Sequence, residues 1–293
     1  MQALTALIKR EYLEHRGAFV YGPAILLALF LAGGLYSLIG VDIGGTLAHE
    51  LPNALRFYET SIALAAAGWL IYLLIMLFFY YGDAFSADSR NNSMLFWKSM
   101  PQSDLKILAS KVAASLTVFP AAILVALALT GILAYLPALS IGSVMPAFAP
   151  PDIGTTLSAW GNVMLAALVL FAIGLLWYLP FLAWVGFLSV MFKRWAIPLA
   201  FLIPAIIGVF ERVIAENLLV AGQFWTFITK RFELHFEGLE MEAYWLTGEP
   251  WNGMDLIALM LAGTDWVSLA GGVAVAVVLV YAASEYRRRF VLT

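Results

Sequence analysis

The sequence has no cysteine and few charges. Without cysteine there is no disulfide framework, no thiolate metal site and no cysteine nucleophile. Asp, Glu, Lys and Arg make up only 12% of the 293 residues, against about 25% in an ordinary globular domain. Hydrophobic residues reach 63% and mean hydropathy is +0.90. A soluble protein of this size cannot cover its surface with so few charges. The composition therefore excludes a soluble enzyme and points to an integral membrane protein. A net charge of -3 and the lack of a basic patch exclude a nucleic-acid binder.

Catalytic signatures are missing as well. No Gly-Lys dipeptide occurs, so the chain has no P-loop for ATP. His15, His49 and His235 are far apart and form no HExxH pattern, so no zinc site is expected. No GxSxG elbow is present. The expectation is a non-catalytic chain with no catalytic residue, no metal and no cofactor of its own.

What is there is a series of long apolar runs. A helix needs roughly 20 apolar residues to cross a bilayer. Residues 17–40, 60–82, 112–136, 163–190 (within 153–192), 195–210 and 266–284 give six expected spans in an all-α membrane fold. The first run is too long for a signal h-region, so it is expected to act as an uncleaved anchor. Pro137, Pro146, Pro150 and Pro151 predict a loop over 137–160. None of the six apolar cores holds Asp, Glu, Lys, Arg or His. Proton-coupled carriers and charge-selective channels keep such residues inside, so free energy for uphill transport is expected to come from another chain.

Placing both termini in the cytoplasm puts 12 of the 16 Lys and Arg inside, with 4 outside. That is the positive-inside pattern. Acidic residues lean the other way, with 6 inside and 13 outside. Residues 2–16 predict an amphipathic interfacial helix, with Leu4, Leu7, Ile8, Tyr12 and His15 on one stripe. Gln2, Lys9, Glu11, Glu14 and Arg16 are assigned to the other face. Residues 83–111 form the main cytoplasmic loop, and Ser103 reads as a helix N-cap. Residues 211–265 form an acidic, aromatic external segment suited to the outer headgroup level. One transmembrane domain, 1–293, results.

The layout resembles that of an ABC-2 type ABC-transporter permease. The specific part of the resemblance lies in the loop: Asp83, then Asp88 and Arg90, then Ser93-Met94-Leu95-Phe96, then Ser99-Met100-Pro101-Gln102-Ser103, then Lys111. Asn91 and Asn92 depart from the more charged pattern of many relatives. The resemblance implies a permease subunit of an ATP-driven exporter in a bacterial-type inner or plasma membrane. It implies pairing with a second permease copy and docking of a separate ABC-type ATPase, which holds ATP and Mg. It implies short outer helices between the fifth and sixth spans. The docking set it implies is Asp88, Arg90, Asn92, Ser93, Leu95, Phe96, Trp97, Lys98, Met100, Pro101 and Ser103.

By the same resemblance the second and fifth spans would line the substrate route. Trp69, Tyr72, Met76 and Phe79 fall at helical spacing on span two, and plain lipid or helix packing explains that stripe equally well. Pro198 and Pro204 would bend span five beside the route. Two alternatives remain open on the residues alone: a stand-alone carrier or channel, and a membrane anchor that recruits an ATPase without transporting.

Overall fold

A computed structural model describes residues 2–38, 53–90, 103–144, 151–213, 223–234, 236 and 250–290. Among the described residues every regular element is helical. Chain order is α1 (Gln2–Glu14), a π-helical turn (Gly17–Tyr21), α2 (Gly22–Ser37), α3 (Ala54–Arg90), α4 (Asp104–Leu116), α5 (Val118–Leu133) and α6 (Tyr135–Val144). Then come α7 (Ile153–Phe192), a 3-10 turn (Lys193–Trp195), α8 (Ala196–Val213), α9 (Gln223–Phe232), α10 (Gly253–Gly263) and α11 (Trp266–Phe290).

Among the described residues, five helical runs are long and apolar enough to cross a membrane: Gly17–Ser37, Ala54–Asp88, Asp104–Ser140, Ile153–Val213 and Trp266–Phe290. The chain is a helical multi-pass membrane protein. The expected fourth and fifth spans fall within the single run of 61 residues. That run is bent into two helices at Lys193, whose φ of 51° reverses the chain. Trp184 Nε1 on α7 donates to the Ala200 carbonyl on α8 at 3.3 Å, so α8 folds back along α7.

Several expected boundaries are corrected. Helix α3 has 37 residues and rises about 55 Å, well beyond the expected 60–82. The expected loop 83–111 is therefore helical over 83–90 and again from Asp104. Ser103 caps α4 as expected, its Oγ accepting the Lys106 N–H at 3.3 Å. The expected third span breaks at Thr117, with φ −126° and ψ −68°. Pro120 supplies no N–H for the Leu116 carbonyl, so the helix cannot run on regularly. The expected loop 137–160 is helical over Tyr135–Val144 and from Ile153 onward. Pro137 sits in the first turn of α6, where its missing N–H costs nothing. Asp152 caps α7 by accepting the N–H groups of Gly154 at 2.9 Å and Thr155 at 3.1 Å.

Helix α7 forms the centre of the bundle and packs against α3, α5, α8, α10 and α11. Helix α1 lies on α4, and α2 lies on α5 and α6. Lipid tails are as apolar as leucine, so helices in a bilayer associate through close packing and hydrogen bonds. Helix α3 supplies many of these bonds. Tyr58 donates to the Gly131 carbonyl at 2.9 Å, Trp69 Nε1 to Thr130 Oγ1 at 3.0 Å and Tyr72 to the Ala18 carbonyl at 2.6 Å. Tyr81 shares a hydrogen bond with Ser115 at 2.7 Å. Gly131 lets the indole of Trp160 lie directly against the α5 backbone, where a Cβ would collide with the ring.

The strained turn is testable. A lysine at φ 51° carries a backbone cost that glycine avoids. Lys193→Gly is expected to raise the thermal unfolding midpoint in detergent, relieving about 1 kcal/mol. Lys193→Val is expected to lower it. A lower midpoint for the glycine variant would contradict the strained reversal.

Candidate functional site

The densest polar constellation lies at the end of the bundle that carries α1 and the C-terminal end of α11. It begins with Glu11. Counting 100° per residue, Glu11 falls at the centre of the stripe formed by Leu4, Leu7, Ile8 and His15. The polar-face assignment of Glu11 is thus corrected: it is buried, while Leu4 is exposed. Its Oε1 lies 2.8 Å from Lys111 Nζ, and its Oε2 accepts the Tyr80 hydroxyl at 2.9 Å. Lys111 Nζ also lies 3.9 Å from Asp88 Oδ2, and Arg10 Nη2 lies 3.8 Å from Asp88 Oδ1.

Arg287 enters this group from α11. Its Nη1 donates to the Phe85 carbonyl at 2.9 Å and lies 3.4 Å from Asp88 Oδ2. Its Nε faces Asp104 Oδ1 at 3.4 Å. The Lys111 and Arg287 side chains are each 2% exposed and that of Asp88 is 1% exposed. Charges so far from water need partners, because removing one partner from a buried pair typically costs about 3–5 kcal/mol. Cations and carboxylates therefore alternate across α1, α3, α4 and α11.

Of the residues expected to dock a partner, Asp88 is turned inward into this cluster and Ser103 serves as the α4 cap. Arg90 closes α3, and its side chain lies outside the described residues. Asn92, Ser93, Leu95, Phe96, Trp97, Lys98, Met100 and Pro101 also lie outside them. The cluster brackets this segment, with Asp88 just before it and Asp104 just after it.

The residues expected along a substrate route have dissimilar surroundings. Trp69 is buried against Thr130, and Tyr72 is half-buried with its ring 5.6 Å from Trp69. Met76 is half-buried and Phe79 is 54% exposed. Pro198 is exposed on α8, and Pro204 lies inside α8, half-buried. The α3 stripe runs from interior to surface rather than along one lining.

Ligand atoms of Glu11, Glu14 and His15 lie within 4.8 Å of one another. Glu11 is already held by Lys111 and Glu14 by Arg10 at 2.6 Å. The His15 ring packs edge-on to Tyr80 at 4.7 Å, with Nδ1 3.0 Å from the Glu11 carbonyl. The protein's own cations thus occupy the two carboxylates.

A second polar group closes the opposite end. Arg56 and Glu59 pair at 2.8 Å, each side chain 1% exposed, and Glu59 accepts the Trp251 N–H at 2.9 Å. Glu211, in the last turn of α8, caps α9 by accepting the N–H groups of Phe224 and Trp225 at 3.0 Å. Deeper in the bundle, about 22 Å along α7 from the Asn162 that holds Trp251, Arg231 is buried between the rings of Trp177 and Phe227, at 4.8 and 5.2 Å. It donates to the carbonyls of Trp177 and Ser268, and burial lowers its pKa against the opposing pull of Asp265. A Cβ on Gly272 would collide with its guanidinium. Lys230 donates to Asp265 at 2.6 Å; that bond, with those from Ser268, holds the Asp265 carboxyl well below its ordinary value.

The sequence carries a signal for one of these residues: a carboxylate centred in an apolar stripe marks Glu11. Nothing local marks Arg287 among the three arginines of 287–289, or Arg231 beside Lys230. Their partners lie tens to hundreds of residues away. In comparison with known proteins, the chain matches no family model and no curated sequence.

Two outcomes follow from this geometry. Lys111→Met leaves Glu11 and Asp88 buried beside a missing cation and is expected to cost about 3–5 kcal/mol. Adding Glu11→Gln is expected to recover part of that loss in thermal unfolding; a double variant no better than the single would refute the pairing. Asp265 is depressed in the fold, so its contribution is complete above the ordinary carboxylate range of about 4 and fades as pH falls below it. Hydrogen exchange of α9 is expected to rise on acidification, and Asp265→Asn to remove that pH dependence.

Proposed function

We propose that this chain is the membrane-spanning permease subunit of an ATP-driven ABC exporter. A separate ATPase would bind the segment between α3 and α4, and a second permease copy would complete the transport unit. The observation that carries this reading is the make-up of that segment. Asp83, Asp88, Arg90, Ser93–Phe96, Ser99–Ser103 and Lys111 follow the ABC-2 permease pattern in order. Asp88 and Lys111, two residues of that pattern, also meet in one buried ion cluster.

The middle of α3 supports an external energy source. Between Glu59 and Asp83, α3 carries no ionisable Asp, Glu, Lys, Arg or His. The two ionic clusters on α3, at Glu59 and Asp88, are 29 residues apart, or about 44 Å. That matches the roughly 40–45 Å of a bilayer with its headgroups. The termini-bearing end is cytoplasmic in this reading, in a bacterial-type inner or plasma membrane. Helix α8, at about 27 Å, serves as a sixth crossing, counted with the other five. The exposed apolar faces of α2 and α8 meet lipid or the second copy. ATP and Mg belong to the partner ATPase.

Met94, Leu95, Phe96 and Trp97 are costly to leave in water, at about 25 cal/mol per Å² of apolar surface. A partner groove removes that cost, and a buried aromatic there is worth about 2 kcal/mol or more. Phe96→Ala combined with Trp97→Ala is expected to abolish co-purification with a co-expressed ABC-type ATPase partner, or to uncouple its hydrolysis from transport. Met254→Ala at the opposite end serves as the control. Wild-type values for the double variant would overturn the docking role. Topology is checked on the same cysteine-free background. Glu233→Cys is expected to react with an impermeant thiol reagent from outside, and Lys9→Cys only after permeabilisation.

A further inference from the structure

Residues 91–102 connect the end of α3, which closes at Arg90, to α4, which begins at Asp104. Both stems are held by one side chain from a distant helix. Arg287 contacts the Phe85 carbonyl and the Asp88 carboxylate on one side and the Asp104 carboxylate on the other. Its neighbours Arg288 and Arg289 are exposed and pair with Glu285 on their own helix. Only Arg287 of the triplet is buried. A positive charge serving orientation alone needs no burial, since Arg288 and Arg289 supply it from the surface.

We infer that Arg287 is a positioning residue that ties both stems of segment 91–102 to α11, so that a protein bound at this segment moves the last helix together with α3 and α4. The inference rests on the permease reading for the identity of that protein. The chemistry of guanidinium supports it. Its planar fork presents donors in several fixed directions, whereas a lysine ammonium is a point charge on a flexible stem. A lysine at 287 reaches one carboxylate and leaves the other stem unheld. Lys111 extends the tie to α1 through Glu11. A push on the segment is thereby delivered to four helices through buried ion pairs rather than through α3 and α4 alone.

The experiment uses the full chain in lipid nanodiscs. Spin labels at Ala87→Cys and Lys106→Cys report the separation of the stems by pulsed electron resonance. The expected result is one narrow distance in the parent, a broadened or shifted one in both Arg287→Gln and Arg287→Lys, and no change in Arg288→Gln. Asp104→Asn removes one arm only and gives a smaller broadening, which covers the case in which the Arg287 variants fail to fold. With the ATPase present, Arg287→Gln is expected to keep binding while transport per ATP falls about tenfold. An unchanged distance in Arg287→Gln, or full rescue by Arg287→Lys, overturns the tie whether or not an ATPase binds. A broadened distance with no ATPase bound even by the parent upholds the tie and sinks the permease reading instead.

Discussion

A charge taken out of water at the end of an apolar bundle must find an opposite charge, and Asp88 is where that requirement converges. Its carboxylate lies near Lys111 and Arg287, with Arg10 at its other oxygen. These cations come from α4, α11 and α1, three elements that share little sequence proximity. Helix α1 could lie flat on a membrane by its apolar stripe alone. The Glu11–Lys111 pair pins it at one register on α4. Without this convergence the helices at that end would keep apolar contacts, which lipid can replace, and a few hydrogen bonds such as Tyr81–Ser115.

The opposite end solves a related problem differently. Arg56 and Glu59 pair within one helix turn and take the Trp251 backbone as a third partner. Deeper in the bundle, Arg231 relies on carbonyls and aromatic faces instead of a bonded carboxylate. Carbonyl and ring contacts are directional but weaker than a desolvated ion pair. The two ends thus differ in kind. One is a multi-helix ionic junction beside an interhelical segment, and the other is an ion pair within α3 that holds the Trp251 backbone.

Much of the fold was legible in the chain because apolar length is a local property. The uncharged runs located every long helix, and Ser103 marked the start of α4. The limits of the helices were less legible. Asp83, Ser86 and Asp88 look like the opening of a loop, yet they extend α3: Ser86 bonds back to the Asp83 carbonyl and Asp88 meets Lys111, Arg287 and Arg10. The break at Thr117 fell inside an expected continuous span, 112–136. The prolines of 137–151 suggested a loop, but a proline in a first helical turn offends nothing.

The candidate site divides in the same way. Composition and spacing by themselves determined a helical membrane protein, the placement of charge at the ends of its spans, and a polar-then-apolar segment between the second and third. Those properties follow from the bilayer, which selects residues one at a time by transfer energy. Only the tertiary structure decided that Asp88 points inward, that Glu11 is a core residue, and that Arg287 alone of three arginines is buried. Which charge is buried depends on which carboxylate arrives opposite it. Asp88 and Arg287 are 199 residues apart, so no local pattern could encode their meeting.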